Sequence, residues 1–129
     1  MKYYLTTLAL MLSLHAFAEN NGTPREIFLP VDQVFIQGTD HNDEFAIALN
    51  GYLPNLCHEE PMIEIDAIKN TVYIDVKTLT YDPSNPFCPE VLKEFIQKIN
   101  LGKLEAGSYQ IVINEHTDFE QNIQIFIEQ

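Results

Sequence analysis

Basic residues are scarce in this chain: 7 lysines and arginines stand against 19 aspartates and glutamates, a formal charge of −12 over 129 residues. A surface so short of cations has the wrong sign for neutralising phosphates, which sets aside nucleic acid and anionic lipid as partners. Glycine is scarce too, at 5 residues, and no glycine-rich loop of the kind that cradles a phosphate occurs. There is no Gly-x-Ser-x-Gly elbow to present a nucleophile. No two histidines stand at the His-x-His or His-x3-His spacing that would put two metal ligands on one face. Internal repeats, heptads and low-complexity tracts are also missing, which excludes solenoids and coiled coils.

Residues 1–18 read as a secretory signal. Lys2 supplies a positive start, Tyr3 to Leu14 an apolar run, and Ala16-Phe17-Ala18 a small-x-small cleavage site. The run is about a dozen residues, too short for a helix across a core of roughly 30 Å. No cysteine lies beside the cleavage site to carry a lipid. The mature chain is expected to begin at Glu19 and to comprise 111 residues, enough for one domain. Losing Lys2 takes its formal charge to −13. The expected location is the periplasm or the extracellular medium, with no membrane insertion after cleavage. The acidity reads first as solubility, and beyond that suits a cationic partner or a divalent cation.

Residues 19–30 are polar and turn-rich and read as an N-terminal tail, leaving 31–129 as the folded domain. From residue 31 onward the period is two. Val34 and Ile36 alternate with glutamines; Phe45, Ile47 and Leu49 alternate with alanines; Ile63 and Ile65 alternate with acids. Val72, Ile74 and Val76 follow, then Tyr109, Ile111 and Ile113, and finally Ile123, Ile125 and Ile127. Short β-branched runs bounded by turn residues predict an all-β antiparallel sandwich of about seven strands. Residues 89–99 leave two readings open. Pro89-Glu90 starts a helix well, and Leu92, Phe95, Ile96 and Ile99 fall at helical spacing, yet Phe95, Ile99 and Leu101 also share a face at period two. A short helix near 89–95 followed by a strand is the favoured expectation.

Cys57 and Cys88 are the only cysteines. An even count in an exported chain favours a disulfide, and closing a 31-residue loop stabilises by roughly 3–4 kcal/mol on the chain-entropy argument. The bridge would tie together two proline-rich loops, Tyr52 to Pro61 and Tyr81 to Pro89. Tyr52, Leu53, Tyr81 and Phe87 lie in or beside them and are candidate partner contacts, since aromatic side chains offer wide contact area at low entropy cost.

The run Leu104-Glu-Ala-Gly107-Ser-Tyr109-Gln-Ile-Val-Ile-Asn114 resembles the tyrosine corner of immunoglobulin-like and fibronectin type III-like sandwiches. That resemblance implies that Tyr109 hydrogen-bonds upstream backbone, that Gly107 permits the turn, and that Leu104 plugs the core. With the Leu53-Pro-Asn-Leu-Cys57 loop and Cys88, residues 31–127 are similar to small exported bacterial proteins that share these motifs and have no established activity. Two departures stand out: the chain has no tryptophan, and the position two after Tyr109 is Ile111 rather than cysteine. The disulfide is therefore not the inter-sheet bridge of antibody domains.

Chemistry is thinly represented. His41, His58 and His116 each neighbour carboxylates, and His41 with His116 form the stronger pair of candidates for a composite metal site between loops, although solvated loop histidines are the simpler account. Cys57 beside His58 would be no nucleophile once bridged. No cofactor is implied. The sequence therefore predicts a non-catalytic exported binding or structural protein with an unidentified protein partner. A periplasmic inhibitor of a cationic enzyme, such as a lysozyme or protease, is the alternative, followed by a metal-binding protein and last an enzyme.

Overall fold

The computed structural model describes residues 24–38, 44–81 and 88–128, which form eight strands in two sheets and no helix. In chain order they are β1 (Arg25–Phe28), β2 (Gln33–Gly38), β3 (Glu44–Leu53), β4 (Met62–Ile68), β5 (Thr71–Thr80), β6 (Lys93–Lys103), β7 (Gly107–Ile113) and β8 (Gln121–Ile127). The smaller sheet has the order β2-β3-β6, and the larger holds β1, β4, β5, β7 and β8. One core lies between them. It takes Ile47, Leu49 and Leu53 from β3 and Phe95 and Ile99 from β6, against Val72, Ile74 and Val76 from β5, Ile111 and Ile113 from β7, and Ile125 and Ile127 from β8. The period-two pattern puts alternate side chains on that inner face, and the resulting β-sandwich is the fold the alternation predicts.

Gly51 shows how tightly the inner face is filled. A Cβ there would lie 2.6 Å from Cζ of Phe95 and 2.8 Å from the carbonyl oxygen of Pro30. Near the far end of the same pair, the register shifts by one between Phe45 and Ala46, and Gly102 takes a positive φ of 73°. Asn100 Oδ1 accepts the Gly102 N–H at 2.7 Å, which closes this bulge.

In the larger sheet, β4 pairs along one edge of β5 from Thr71 to Lys77. The opposite edge is shared. β7 pairs in parallel with Thr71–Ile74, and β1 pairs antiparallel with Lys77–Thr80. Between these two ladders lies Asn114, wholly buried and in the left-handed conformation at φ 52°. Its N–H donates to the Ile74 carbonyl at 2.8 Å, its side-chain oxygen accepts the Val76 N–H at 2.8 Å, and its Nδ2 donates to the Leu29 carbonyl at 2.7 Å. The Leu29 N–H returns to the Val76 carbonyl at 2.8 Å. One amide side chain thus completes the ladder where one neighbour ends and the next begins. Asparagine suits the place because it tolerates positive φ and offers both a donor and an acceptor.

Four expectations are corrected here. The strands number eight where about seven were expected, and the additional one, β1, lies within the segment read as a tail, with Leu29 and Val31 buried beside it. No helix forms at 89–95: β6 begins at Lys93, and Phe95 and Ile99 face the core as alternating strand residues. A spacing of four satisfies both periods, and the ladder with β3 decides between them. The sandwich is not wholly antiparallel, because the chain leaves the larger sheet after β5, runs β6 through the smaller one, and returns as β7 parallel to β5. The signal segment 1–18 lies outside the described residues.

Replacing Asn114 with alanine leaves the Val76 N–H and Leu29 carbonyl buried without partners. The expected loss of unfolding free energy in urea is roughly 2–6 kcal/mol, from two unmet groups at about 1–3 each.

Candidate binding surfaces at the disulfide end and along the larger sheet

The Cys57–Cys88 disulfide is present, with the two Cα atoms 5.2 Å apart. It joins the two loops that carry the chain between the sheets at one end of the sandwich. The Leu56 N–H donates to the Pro89 carbonyl at 3.3 Å, a second tie between those loops. Downstream of the bridge the first loop runs along β5: Tyr81 N–H donates to the Cys57 carbonyl at 3.0 Å and Glu59 N–H to the Leu79 carbonyl at 2.9 Å. Buried Thr78 is satisfied there, its hydroxyl donating to the Glu59 carbonyl at 2.7 Å. The Tyr81 hydroxyl donates to Glu59 Oε1 at 2.6 Å, and that carboxylate raises the phenol's pKa above its ordinary value.

Of the four candidate contacts, Tyr52 and Tyr81 are exposed. Leu53 is not a contact: it is 1% exposed, because it continues the inward parity of Ile47 and Leu49 into the core. Phe87 lies outside the described residues. Other apolar side chains emerge instead. Leu92 is 68% and Ile96 65% exposed, with Leu56 and Val91 also open to solvent. Glu94 stands opposite Tyr52, and Ile96 opposite Asn50, whose Nδ2 donates to Glu94 Oε1 at 2.7 Å. Tyr52, Leu92 and Ile96 therefore surround a tethered carboxylate on the outer face of β3 and β6. Helical spacing groups Leu92 and Ile96 with the buried Phe95 and Ile99, which hides this surface from a reading of the sequence.

At the entry to β7, Tyr109 donates its hydroxyl to the Glu105 carbonyl at 2.9 Å. Gly107 has φ 148°, and Leu104 packs partly buried against the core. The two described histidines, His58 and His116, do not converge with other ligands among the described residues. His116 is 87% exposed with only Glu115 beside it at 3.5 Å, and His58 Nδ1 is engaged by Asn55 Oδ1 at 2.7 Å. Among the described residues no group of three or more His, Cys, Asp or Glu is arranged to hold a metal ion, and His41 lies outside them.

On the larger sheet, described residues line two clefts. One, of about 440 Å³, lies where β7 and β8 run past the β4–β5 turn, and Asn70, Thr71, Ser108, Gln110, Asn122 and Gln124 supply its polar lining. These amides and hydroxyls offer hydrogen bonds but no group that exchanges a proton near neutral pH. The other, of about 260 Å³, is lined by Glu64, Ile65, Asp66, Tyr73 and Asp75.

Residues 47–125, more than half of the chain, match the family model of the ORF11 beta-sandwich domain. The chain belongs to that family. No curated protein and no solved structure matches it. The matched segment of the ORF11 beta-sandwich domain runs from within β3 to within β8 and includes the disulfide, the tyrosine corner and Asn114. Strands β1 and β2 precede it.

Two outcomes are expected for this ORF11 beta-sandwich domain. Cys57→Ser and Cys88→Ser should each lower stability by roughly 3–4 kcal/mol and the double variant by little more; single variants melting like the parent would show that the bridge carries no stability. Lys77 bridges Glu26 and Glu64 at 3.1 Å each, and hydrogen bonds to those two carboxylates raise its pKa above 10.5. A group raised on folding stabilises fully below its unfolded pKa and loses that contribution as pH climbs through the folded value. The parent should therefore lose more stability than Lys77→Met between about pH 9 and pH 11.5, read by urea unfolding.

Proposed function

We propose that this chain is an exported, non-catalytic binding protein whose contact surface is the disulfide end of the smaller sheet. The observation that carries the reading is the exposed apolar set Tyr52, Leu56, Leu92 and Ile96. Glu94 stands within this set, exposed Glu59, Glu60 and Glu90 flank it, and Lys93 is already paired with Glu60. Apolar side chains set among and beside carboxylates suit a protein partner that brings apolar and basic side chains to the contact. The signal-like residues 1–18 and the disulfide both fit export to an oxidising compartment, the periplasm or the medium. The likeness to small exported bacterial sandwiches of the immunoglobulin or fibronectin type III kind supports the same reading. Occlusion of a cationic enzyme is one form such binding takes, favoured by the formal charge of −12.

The test is affinity capture with residues 19–129 against periplasmic and secreted fractions, with a purified cationic lysozyme and a trypsin-like protease as probes. Binding should weaken with salt and fall at least about tenfold in Leu92→Asp and in Ile96→Asp, with melting temperatures unchanged. Equal capture by both variants and the parent would place the contact elsewhere and sink the proposal.

A further inference from the structure

We propose that the free edge of β4 is a second binding site, which takes an extended segment of another protein as an added strand with alternating apolar and cationic side chains. Among the described residues β4 pairs only with β5, so its other edge presents unpaired backbone groups over seven residues. Natural edge strands are usually blunted by charged side chains, lysine above all, or by proline, a bulge or short length, and the only charges on this edge are the carboxylates Glu64 and Asp66. Met62–Ile68 contains no lysine or proline, and its register with β5 is unbroken.

The two faces of this edge call for different side chains. Ile63, Ile65 and Ala67 stand opposite buried Val76, Ile74 and Val72 and so face the second sheet. Yet Ile65 is 48% exposed and Ala67 is exposed as well. The larger sheet overhangs its three-stranded neighbour at β4, and apolar side chains on an added strand would extend the core beneath it. On the outer face, Glu64 stands opposite Asp75 and Asp66 opposite Tyr73, and these four line the cleft of about 260 Å³. Lys77 pairs with Glu64, while Asp66 and Asp75 have no cationic partner among the described residues. A lysine or arginine of the incoming strand would meet those carboxylates with the Tyr73 ring beside them.

The same charges argue against a second copy of this chain. Antiparallel self-pairing centred on Ile65 would set Glu64 against Asp66 of the other copy in both directions, and like charges directly opposite are destabilising. The pairing that satisfies both faces is with a foreign segment carrying a basic residue at every second position, bound by backbone hydrogen bonds and selected by those side chains. None of the residues of the disulfide-end surface takes part, so the two sites stand or fall separately.

The probe is a capped heptapeptide, Lys-Val-Lys-Val-Lys-Val-Lys, titrated into residues 19–129 and followed by backbone amide shifts. Two N-methylated versions, on the lysines or on the valines, test the pairing, since alternate N–H groups of a strand point to opposite edges. We expect shifts confined to 62–68 and 73–75, loss of binding for one methylated version and retention for the other. Affinity should fall about tenfold or more in 0.5 M salt and likewise in Asp66→Lys. Leu92→Asp should bind the peptide like the parent. Shifts that fall elsewhere, equal binding of the glutamate analogue Glu-Val-Glu-Val-Glu-Val-Glu, equal binding of both methylated versions, or no binding at all would overturn the proposal.

Discussion

β5 is the strand against which most of the larger sheet is registered, and one of its edges is shared by two strands that cannot meet each other. β7 departs after Ile74 and β1 arrives at Lys77. The gap between them falls in the driest part of the molecule, where an unpaired peptide group costs more than a hydrogen bond returns elsewhere. Asn114 resolves this with one residue: its backbone ends the β7 ladder, and its side chain stands in for the missing peptide and holds the Leu29 carbonyl. The turn that follows is anchored to the same residue, since the Thr117 hydroxyl donates to the Asn114 carbonyl at 2.7 Å. The seating of Leu29 and Val31 in the core, and the antiparallel β1 that precedes them, depend on this arrangement.

The unequal sheets explain the surface. Five strands facing three leave part of the larger sheet uncovered, and the uncovered part is β4. At the disulfide end the reverse holds: chain crossings from β3 to β4 and from β5 to β6 bring two loops together over the sandwich. Bridging those crossings closes the end covalently, beside the hydrogen bond from Leu56 to Pro89 that joins the same two loops. The apolar side chains that emerge beside it belong to β6 and its approach, where the inner face is already filled by Phe95 and Ile99.

Strand-forming segments were legible because alternation is a local signal, and the cysteine pairing because two cysteines behind a segment that reads as an export signal leave one choice. What the sequence hid depended on distant partners. Arg25–Phe28 carries two charges in four residues and becomes a strand only because the β5 edge at Lys77–Thr80 is free to receive it. Phe95 and Ile99 fit a helix and a strand equally, and β3 settles the matter. The inward turn of Leu53 was readable from the parity of Ile47 and Leu49, but the neighbouring proline drew it into the loop. Asn114 closes a run of alternating strand residues, and nothing local shows that two edges converge on it. The exposure of Ile65 reflects the width of the opposite sheet, a property that no single strand encodes.

The disulfide encloses β4 and β5 entirely, since both lie between Cys57 and Cys88. Under tension applied to the two ends of the chain, force would pass from one sulfur to the other and bypass the backbone of that hairpin. The enclosed residues would contribute nothing to extension, withholding roughly 100 Å of contour at about 3.5 Å per residue. Strands β1 and β7 would be dragged off β5, which would feel the pull through those ladders alone and never along its own backbone. The bridge thus makes the central strand of the larger sheet a mechanically sheltered element, stretched only after the sulfur–sulfur bond is cut.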